Sequence, residues 1–406
     1  CGAMNCVEGN FLPLAPVGAI LPGDFAIAER KMKGVTSYGM LCSGRELGLG
    51  DDHAGLMILD GHAGVAPGVA LTALLGIEPE VIIDISPEGN RPDAWSVVGI
   101  ARDIATRRGV PFTDSATTMP LPAGSGSITS AISSPELCGS LHVFQIDGVS
   151  VRDSTPVIAR RLEQAGMRPV NNVVDASNYV MLERGQPTHP YDATRVAGHH
   201  LGVRSAQPGE TLVTLDGTSR VLGTPGRGLG DTGVDCVIVD GTDSVIGLAG
   251  VMGGASSEIE SSTSTVMLEI AFFDPMTIAR TSKRLGLRSE ASHRFERGVD
   301  FAQWEIVASR FVDILRMTCP DIHVSGYAGA NGNLPQLPQI SLTEGDISRL
   351  LGTTIAADEA GRLLRGIGFG VVVDGHSMTV DAPASRLDIR SGSAGRADVI
   401  EEIARL

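Results

Sequence analysis

The stretch VMLEIAFF, residues 266–273, is an apolar run that carries one charged side chain, Glu269. Its length and its aromatic and β-branched residues predict a buried β-strand. A carboxylate in such a strand is costly to bury unless it has a partner. The residues favour two partners equally: a nearby arginine in a structural salt bridge, or a ligand hydroxyl that donates a hydrogen bond. A hydrogen bond to a charged acceptor contributes about 1.5–3 kcal/mol, which corresponds to roughly ten- to hundredfold discrimination for or against one hydroxyl group.

The segments around this strand mix strand-like and helix-like patterns. That mixture predicts a large α+β domain over residues 137–331. The predicted strands are LHVFQIDGV (141–149), CVIVDG (236–241) and VIGLAGVMGG (245–254), and the predicted helices are VIARRLEQAG (157–166) and FAQWEIVASRFVDILRM (301–317).

The remainder of the chain divides by composition. Residues 1–78 are rich in Gly and Val with short apolar runs, a pattern typical of a small β-barrel. Residues 79–114 place a strand, VIIDIS, before a helix and so predict a small β-α connecting unit. Two stretches, 115–136 and 332–339, are predicted linkers. Residues 340–406 predict a small β/α domain that ends in an acidic helix, so the whole chain is predicted to be a multidomain α+β protein.

Composition and charge restrict the class of protein. With 406 residues and 42% hydrophobic residues the chain can form two or three domains with real cores. A net charge of −15 excludes a globally basic nucleic-acid coat but permits a local basic face. The six cysteines form no CxxC motif, which argues against a zinc ribbon, and their sparse spacing fits a protein of the reducing cytosol. The chain has no run of about 18 apolar residues, so no membrane span is predicted. Because the chain starts at Cys1 and stops at Leu406 inside a helical pattern, we interpret it as a fragment.

A polar segment, VNNVVDASNYVMLERGQPTHPYD at 170–192, gathers several side chains that could perform chemistry, among them Ser177, Asn178 and His189. Pro187 and Pro190 bracket the histidine, which excludes a helix there and indicates a rigid loop. His189 could orient water or bind an ester oxygen. A histidine that hydrogen-bonds its own loop is the somewhat more favoured interpretation from the residues.

Two further segments have a functional and a structural interpretation each. The glycines of GLAGVMGGASSEIE, residues 247–260, allow close approach of a ligand to the backbone, but they fit a tight turn between strands at least equally well. Residues 280–297 carry six basic and two acidic side chains, a net charge of +4. This fits a surface facing phosphates, although a solvated helix face with internal ion pairs is the usual meaning of such a run.

The last helix carries Asp398, Glu401 and Glu402 on one face, and Asp388 lies in the loop before it. Clustered carboxylates repel one another and favour a hard cation such as Mg²⁺. The favoured alternative is an acidic first turn that complements the helix dipole, with an ion pair between Glu401 and Arg405.

Long, ordered motifs along nearly the whole chain resemble the beta subunit of bacterial phenylalanyl-tRNA synthetase. RKMKGVTSYGMLCSGRELGLG is similar to the tRNA-binding OB-fold of that subunit, and NRPDAWSVVGIARDIA to the segment that follows it. The block from RLLG through SRLDI to IEEIARL is similar to its next small domain. The motifs similar to its editing domain are GMRPVNNVVDASNYVMLERGQPTHPYD, LAGVMGG, MLEIAFFDP and RLGLRSEASHRFERGVD.

The resemblance implies a function in the cytoplasm. In this family the beta subunit pairs with a catalytic alpha subunit in an α2β2 heterotetramer, which uses ATP and Mg²⁺ to attach phenylalanine to tRNA(Phe). The beta subunit also binds the tRNA and hydrolyses tyrosine wrongly attached to it. A non-catalytic tRNA-binding or assembly scaffold is the alternative.

The resemblance also implies roles for individual residues. Glu269 selects tyrosine, while His189, Ser177 and Asn178 hold the ester and its attacking water. The remaining editing-pocket residues match Arg168, Gly253, Ser289 and Ala291, and the magnesium site shared with the alpha subunit matches Asp388, Asp398, Glu401 and Glu402.

Overall fold

The computed structural model describes residues 3–32, 34–50, 53–77, 81–122, 124, 126–225 and 233–406. The chain divides into two compact units, the first ending at Asp84 and the second beginning at Ile85. Both helices and sheets are present, so the predicted mixed α+β class is confirmed. Among the described residues, no helix combines the length and apolar character needed to cross a lipid bilayer.

The first unit consists of short strand pairs joined by turns. β1 pairs with β6, β2 with β3 and β4 with β5, each antiparallel, around a small core of Ala15, Ile27 and Cys42. Because no strand exceeds three residues, the described part of 3–77 forms separate ribbons rather than a closed barrel, and the predicted OB-fold stays a prediction. The elements are β1 (Leu14–Pro16), β2 (Ile20–Leu21), β3 (Phe25–Ala26), β4 (Arg30–Met32), β5 (Val35–Ser37), β6 (Gly39–Leu41) and α1 (Leu71–Leu74).

The second unit is built around two facing sheets. The first sheet has the order β17-β8-β16-β9, and the second has the order β15-β14-β13-β10-β7. A separate ribbon pairs β11 with β12. The strands are β7 (Thr129–Ile132), β8 (Cys138–Asp147), β9 (Thr188–Asp192), β10 (His200–Ser205), β11 (Thr211–Val213), β12 (Ser219–Val221), β13 (Cys236–Val239), β14 (Val245–Leu248), β15 (Met252–Gly253), β16 (Thr265–Phe273) and β17 (His323–Asn331).

The first sheet is buried on both faces, which explains why β8 and β16 are buried along nearly their whole length and why β16 is almost entirely apolar. One face packs against the second sheet, through residues such as Val143 and Ile238. The opposite face packs against helices through Phe144 and Phe311. The helices of this region are α2 (Val97–Arg108), α3 (Pro156–Gln164), α4 (Asn172–Arg184), α5 (Pro275–Leu285), α6 (Glu290–Phe295) and α7 (Trp304–Arg316).

Three segments differ from the local sequence prediction. The stretch around His189 forms strand β9 instead of a loop; β9 lies at the edge of its sheet, where a proline such as Pro190 is tolerated. The predicted strand VIIDIS forms none over residues 81–86, because its apolar side chains face solvent without a partner strand. Part of the predicted linker 115–136 forms β7, which pairs in parallel with β10.

The end of the chain forms a small α/β arrangement in which one face of an antiparallel sheet of order β18-β20-β19 is buried and the other is exposed. Its apolar core includes Val380, Leu364 and Val399. The elements are β18 (Gln339–Thr343), α8 (Glu344–Leu351), α9 (Ala357–Gly366), β19 (Gly370–Asp374), β20 (Ser377–Asp381) and α10 (Gly392–Arg405).

Buried arginines join the segment around α2 to this last sheet and its helices. Arg386 is 1% exposed and donates to Asp388 at 2.7 and 2.8 Å and to Glu402 at 2.9 Å. Arg91 lies between Asp93 and Glu402, at 2.8 and 3.7 Å. Since each buried carboxylate faces at least one guanidinium, the charges of this arginine network compensate one another.

We expect Arg386→Met to destabilise the second unit by about 3–5 kcal/mol, because it leaves buried carboxylates without their partner. Urea unfolding followed by circular dichroism measures the change. Arg390→Met is the control: Arg390 is 66% exposed and pairs with Asp398 at the surface, so its loss should change the midpoint little. Equal shifts for the two variants would contradict the importance of the network.

Candidate functional site

A small cavity opens where the first and second sheets face each other. Its volume is about 70 Å³, which is room for several water molecules at the roughly 10–15 Å³ that each requires. Three parts of the chain supply most of the wall: the segment leading into β9, the hairpin of β14 and β15, and the start of α6 with Ala291. Glu269 of β16 and Ile238 of β13 complete it.

Strand pairing places His189 and Glu269 beside each other. The two residues are directly opposite in the β9–β16 ladder, so their side chains lie on the same face of the sheet. Tyr191 follows His189 by two residues and shares that face. This face is the one that packs against the second sheet, which brings all three side chains to the cavity.

Two paired glycines make room for the rings of β9. Gly247 and Gly253 are opposite each other in the β14–β15 hairpin. A Cβ atom at Gly253 would lie 2.4 Å from Cε1 and Nε2 of His189, and one at Gly247 would lie 3.2 Å from the Tyr191 hydroxyl. Side chains at these two positions would collide with the rings, so these two glycines serve ring packing, whereas Gly250, with a φ of +67°, serves the turn between the strands.

Glu269 is a buried carboxylate without a cation. The residue is 6% exposed, and its Oε2 accepts a hydrogen bond of 2.7 Å from the Tyr191 hydroxyl. No described arginine or lysine forms an ion pair with it, so the salt-bridge interpretation of this residue is wrong. Burial raises the pKa of Glu269 to about 7, against the lowering effect of the Tyr191 hydrogen bond.

His189 is an uncharged ring at neutral pH. Burial lowers its pKa to about 4, and its ring meets that of Tyr191 edge-on, with centroids 4.4 Å apart. Neither ring nitrogen has a hydrogen-bond partner among the described residues, in contrast to the interpretation that the histidine bonds its own loop. Both nitrogens therefore remain open to water or a ligand.

Two serines fix the walls of the cavity. Ser177 of α4 donates to the carbonyl oxygen of Thr188 at 2.7 Å and so holds the residue before His189. Ser289 caps α6 and donates to the carbonyl oxygen of Val251 at 2.8 Å, in the turn between β14 and β15. Each hydroxyl ties a helix to a cavity-lining segment.

Two other predicted residues lie outside the cavity lining. Arg168 is exposed in the turn after α3, and Asn178 is half-buried on α4, one residue after Ser177. Neither side chain makes a hydrogen bond to another described residue. Their predicted contacts with substrate stay predictions.

The basic segment, residues 280–297, contains both ion-paired and exposed basic side chains, in line with its two interpretations. Arg284 pairs with Asp235, while Arg294 and Arg297 pair with the segment's own glutamates. The remaining basic residues of the segment are exposed: Arg280, Lys283 and Arg288. In sequence, these exposed residues lie just before α6, which forms part of the cavity wall.

Three of the four acidic residues predicted to bind magnesium are paired with arginines: Asp388, Asp398 and Glu402. Asp388 and Glu402 belong to the arginine network described above, and Asp398 accepts from Arg390 at 2.6 Å. Glu401 is exposed and accepts from Asn90 at 3.4 Å. Within the described ranges, no group of three or more potential ligands is arranged to hold a metal ion. Although carboxylates suit Mg²⁺, this arrangement does not fit one, and the magnesium site stays a prediction.

The position of Tyr191 beside Glu269 was not predicted, and Gly247 was predicted only as one of several glycines that allow a ligand to approach the backbone. Alternation by two residues along β9 would have indicated Tyr191, but it applies only once the segment is known to be a strand. The pairing of Gly247 with Gly253 depends on the register of the hairpin, which the glycine spacing does not define.

Comparisons with known proteins identify relatives over the whole chain. Residues 137–320 match the family model of the B3/4 domain, and residues 340–406 match that of the tRNA synthetase B5 domain. The phenylalanine–tRNA ligase beta subunit of Anaeromyxobacter dehalogenans is 38% identical over 100% of this chain and 49% of its own length. That of Cutibacterium acnes is 39% identical over 100% of this chain and 46% of its own length.

A solved N-terminal fragment of the phenylalanyl-tRNA synthetase beta subunit from Pyrococcus horikoshii is 14% identical, covering 79% of this chain and 85% of the fragment with a TM-score of 0.39. We draw no conclusion from a likeness of this degree. The chain spans about half the length of the bacterial relatives it matches. Its similarity to them extends from end to end, and we conclude that the chain belongs to the family of phenylalanine–tRNA ligase beta subunits.

Proposed function

We propose that this chain supplies the tRNA-binding and proofreading part of a phenylalanine–tRNA ligase beta subunit, and that its cavity removes tyrosine from mischarged tRNA(Phe). The observation that carries the proposal is Glu269, a buried carboxylate without a cation that lines a cavity beside an uncharged histidine. Tyrosine differs from phenylalanine by one hydroxyl, and an apolar synthetic pocket rejects such an addition only modestly. A second pocket that binds the hydroxyl corrects the error.

Water performs the hydrolysis in this proposal. It adds to the carbonyl carbon of the ester, the bond to the ribose oxygen breaks, and the water's proton ends on that ribose oxygen. His189, with a pKa of about 4, is too weak a base to hold this proton at neutral pH. Its role is therefore to orient the water or the ester by hydrogen bonds, as the unpartnered ring nitrogens allow.

Recognition of the tRNA involves the exposed residues around the cavity. Arg168 and Asn178 would contact the end of the tRNA that carries the amino acid. The exposed basic residues Arg280, Lys283 and Arg288 would face phosphates, because each neutralised phosphate releases counterions and strengthens binding. Residues 1–78 would add tRNA contacts as an OB-fold.

The whole ligase would pair this subunit with a catalytic alpha subunit in an α2β2 heterotetramer in the cytoplasm, where the complex uses ATP. The Mg²⁺ of that complex would require ligands from the alpha subunit and displacement of the arginines now bound to Asp388, Asp398 and Glu402. The hydrolysis proposed for the cavity does not depend on it.

We expect Glu269→Ala to reduce hydrolysis of tyrosyl-tRNA(Phe) by roughly ten- to hundredfold, the loss of one hydrogen bond to a charged acceptor. Slow hydrolysis of phenylalanyl-tRNA(Phe) should not change. Release of labelled tyrosine and phenylalanine measures both rates, and Glu260→Ala, which removes a half-exposed carboxylate of the same domain, serves as the control. An unchanged ratio of the two rates would refute the assigned role of Glu269.

We expect Gly253→Ala to leave the fold intact and to abolish most hydrolysis, because the new methyl group displaces the His189 ring rather than the backbone. A misplaced reacting group costs on the order of a hundredfold in rate. Gly345→Ala is the control, since a Cβ atom there has room.

Tight tRNA binding without tyrosine release by the unaltered protein would favour the scaffold alternative.

A further inference from the structure

Tyr191 has a polar contact with Glu269 that its packing does not require. The ring is 1% exposed and belongs to the core between the two sheets. Its hydroxyl sits over Gly247 and donates to Oε2 of Glu269 at 2.7 Å. A phenylalanine would fill nearly the same space but would leave that carboxylate oxygen without its donor.

The second oxygen of Glu269 is available. Oε1 has no hydrogen-bond partner among the described residues, and Glu269 lines the cavity. A carboxylate accepts several hydrogen bonds on its two oxygens, so a bond at Oε2 does not prevent one at Oε1. Tyr191 and a ligand hydroxyl can therefore bind the same carboxylate at once.

The terminal torsion of a glutamate is broad, so an unbound carboxylate rotates between many orientations. A fixed donor at Oε2 removes that freedom and defines the direction of Oε1. We propose that Tyr191 is a positioning residue that holds Oε2 of Glu269 so that Oε1 faces the phenolic hydroxyl of a tyrosyl ester. This inference rests on the proposed function, because it assigns the substrate hydroxyl to one named oxygen.

Protonation of Glu269 gives the proposal a measurable signature. The titratable groups that face Glu269 are His189 and Tyr191 from β9, Cys138 from β8 and Cys236 from β13. The lining residues 247–253 and those of α6, Ala291 and Phe295, carry no titratable side chain.

The direction of the pH effect follows from these neighbours. Burial raises the pKa values of both thiols and of Tyr191, and it lowers that of His189, so all four groups are uncharged at neutral pH. Glu269, with its pKa near 7, is ionised above that pH and protonated below it. Removing the Tyr191 hydroxyl takes away the hydrogen bond that favours the ionised form, which moves the midpoint upward.

The decisive variant is Tyr191→Phe in the intact protein, with Tyr179→Phe as the matched control. Tyr179 lies on α4 and accepts a hydrogen bond from Arg161, away from the cavity lining. The rates of tyrosine and phenylalanine release from tRNA(Phe) are measured from about pH 6 to about pH 9, and spontaneous hydrolysis is subtracted. This range includes the midpoint of Glu269 and the higher midpoint expected for the variant.

For unaltered protein, tyrosine release should rise with pH around a midpoint near 7. In Tyr191→Phe the midpoint should move upward, the preference for tyrosine at neutral pH should fall by roughly two- to tenfold, and alkaline pH should restore part of it. A role in packing would lower both rates without moving the midpoint. An unmoved midpoint overturns the proposal.

A titration of Glu269 by carbon NMR separates this inference from the proposed function. The carboxyl signal, assigned with Glu269→Gln, should titrate at higher pH in Tyr191→Phe than in the unaltered protein. If the unaltered protein releases no tyrosine, the proofreading function fails, and a shifted carboxyl titration still supports the contact between Tyr191 and Glu269. If the titration does not shift, Tyr191 does not position the carboxylate.

Discussion

The contact between a glycine pair and two rings determines the rest of the site. Gly247 and Gly253 leave a gap in the second sheet, and the rings of His189 and Tyr191 fill it from the first. Because both rings belong to one strand, a shift of one residue in its pairing with β16 would turn them away from the gap, which favours the observed register with Glu269 opposite His189. Close packing of two sheets thus fixes a polar arrangement, and no hydrogen bond between His189 and Glu269 is needed to maintain it.

Electrostatics distinguish the cavity from the other end of the same unit. Near α10 the buried carboxylates are paired with guanidinium groups, as in the contact between Arg386 and Glu402. This pairing neutralises buried charge and serves the fold. Glu269 instead has a neutral phenol as its partner and keeps an elevated pKa. A buried carboxylate held near its midpoint at neutral pH destabilises the fold when it ionises, and groups of this kind concentrate at functional sites.

The sequence predicted four strand segments of residues 137–331, which correspond to β8, β13, β14 with β15, and β16, but it did not predict β9, β10 or β17. An apolar run identifies β16 and singles out Glu269, since a charge in a buried strand is conspicuous. Its partner could not be inferred, because Tyr191 reaches it through a sheet pairing between distant segments. The acidic face of α10 was read from helical spacing, but spacing says nothing about Arg386, which approaches from a loop.

The edge position of β9 also bears on how the molecule avoids self-association. An edge strand exposes unpaired backbone groups that can template addition of another chain. In β9, Pro190 removes one amide donor beside His189, and Pro187 removes another just before the strand begins. The two prolines remove amide donors from this edge, and Ser177 of α4 binds the carbonyl oxygen of Thr188, so the edge is a poor template for pairing with a strand of another chain.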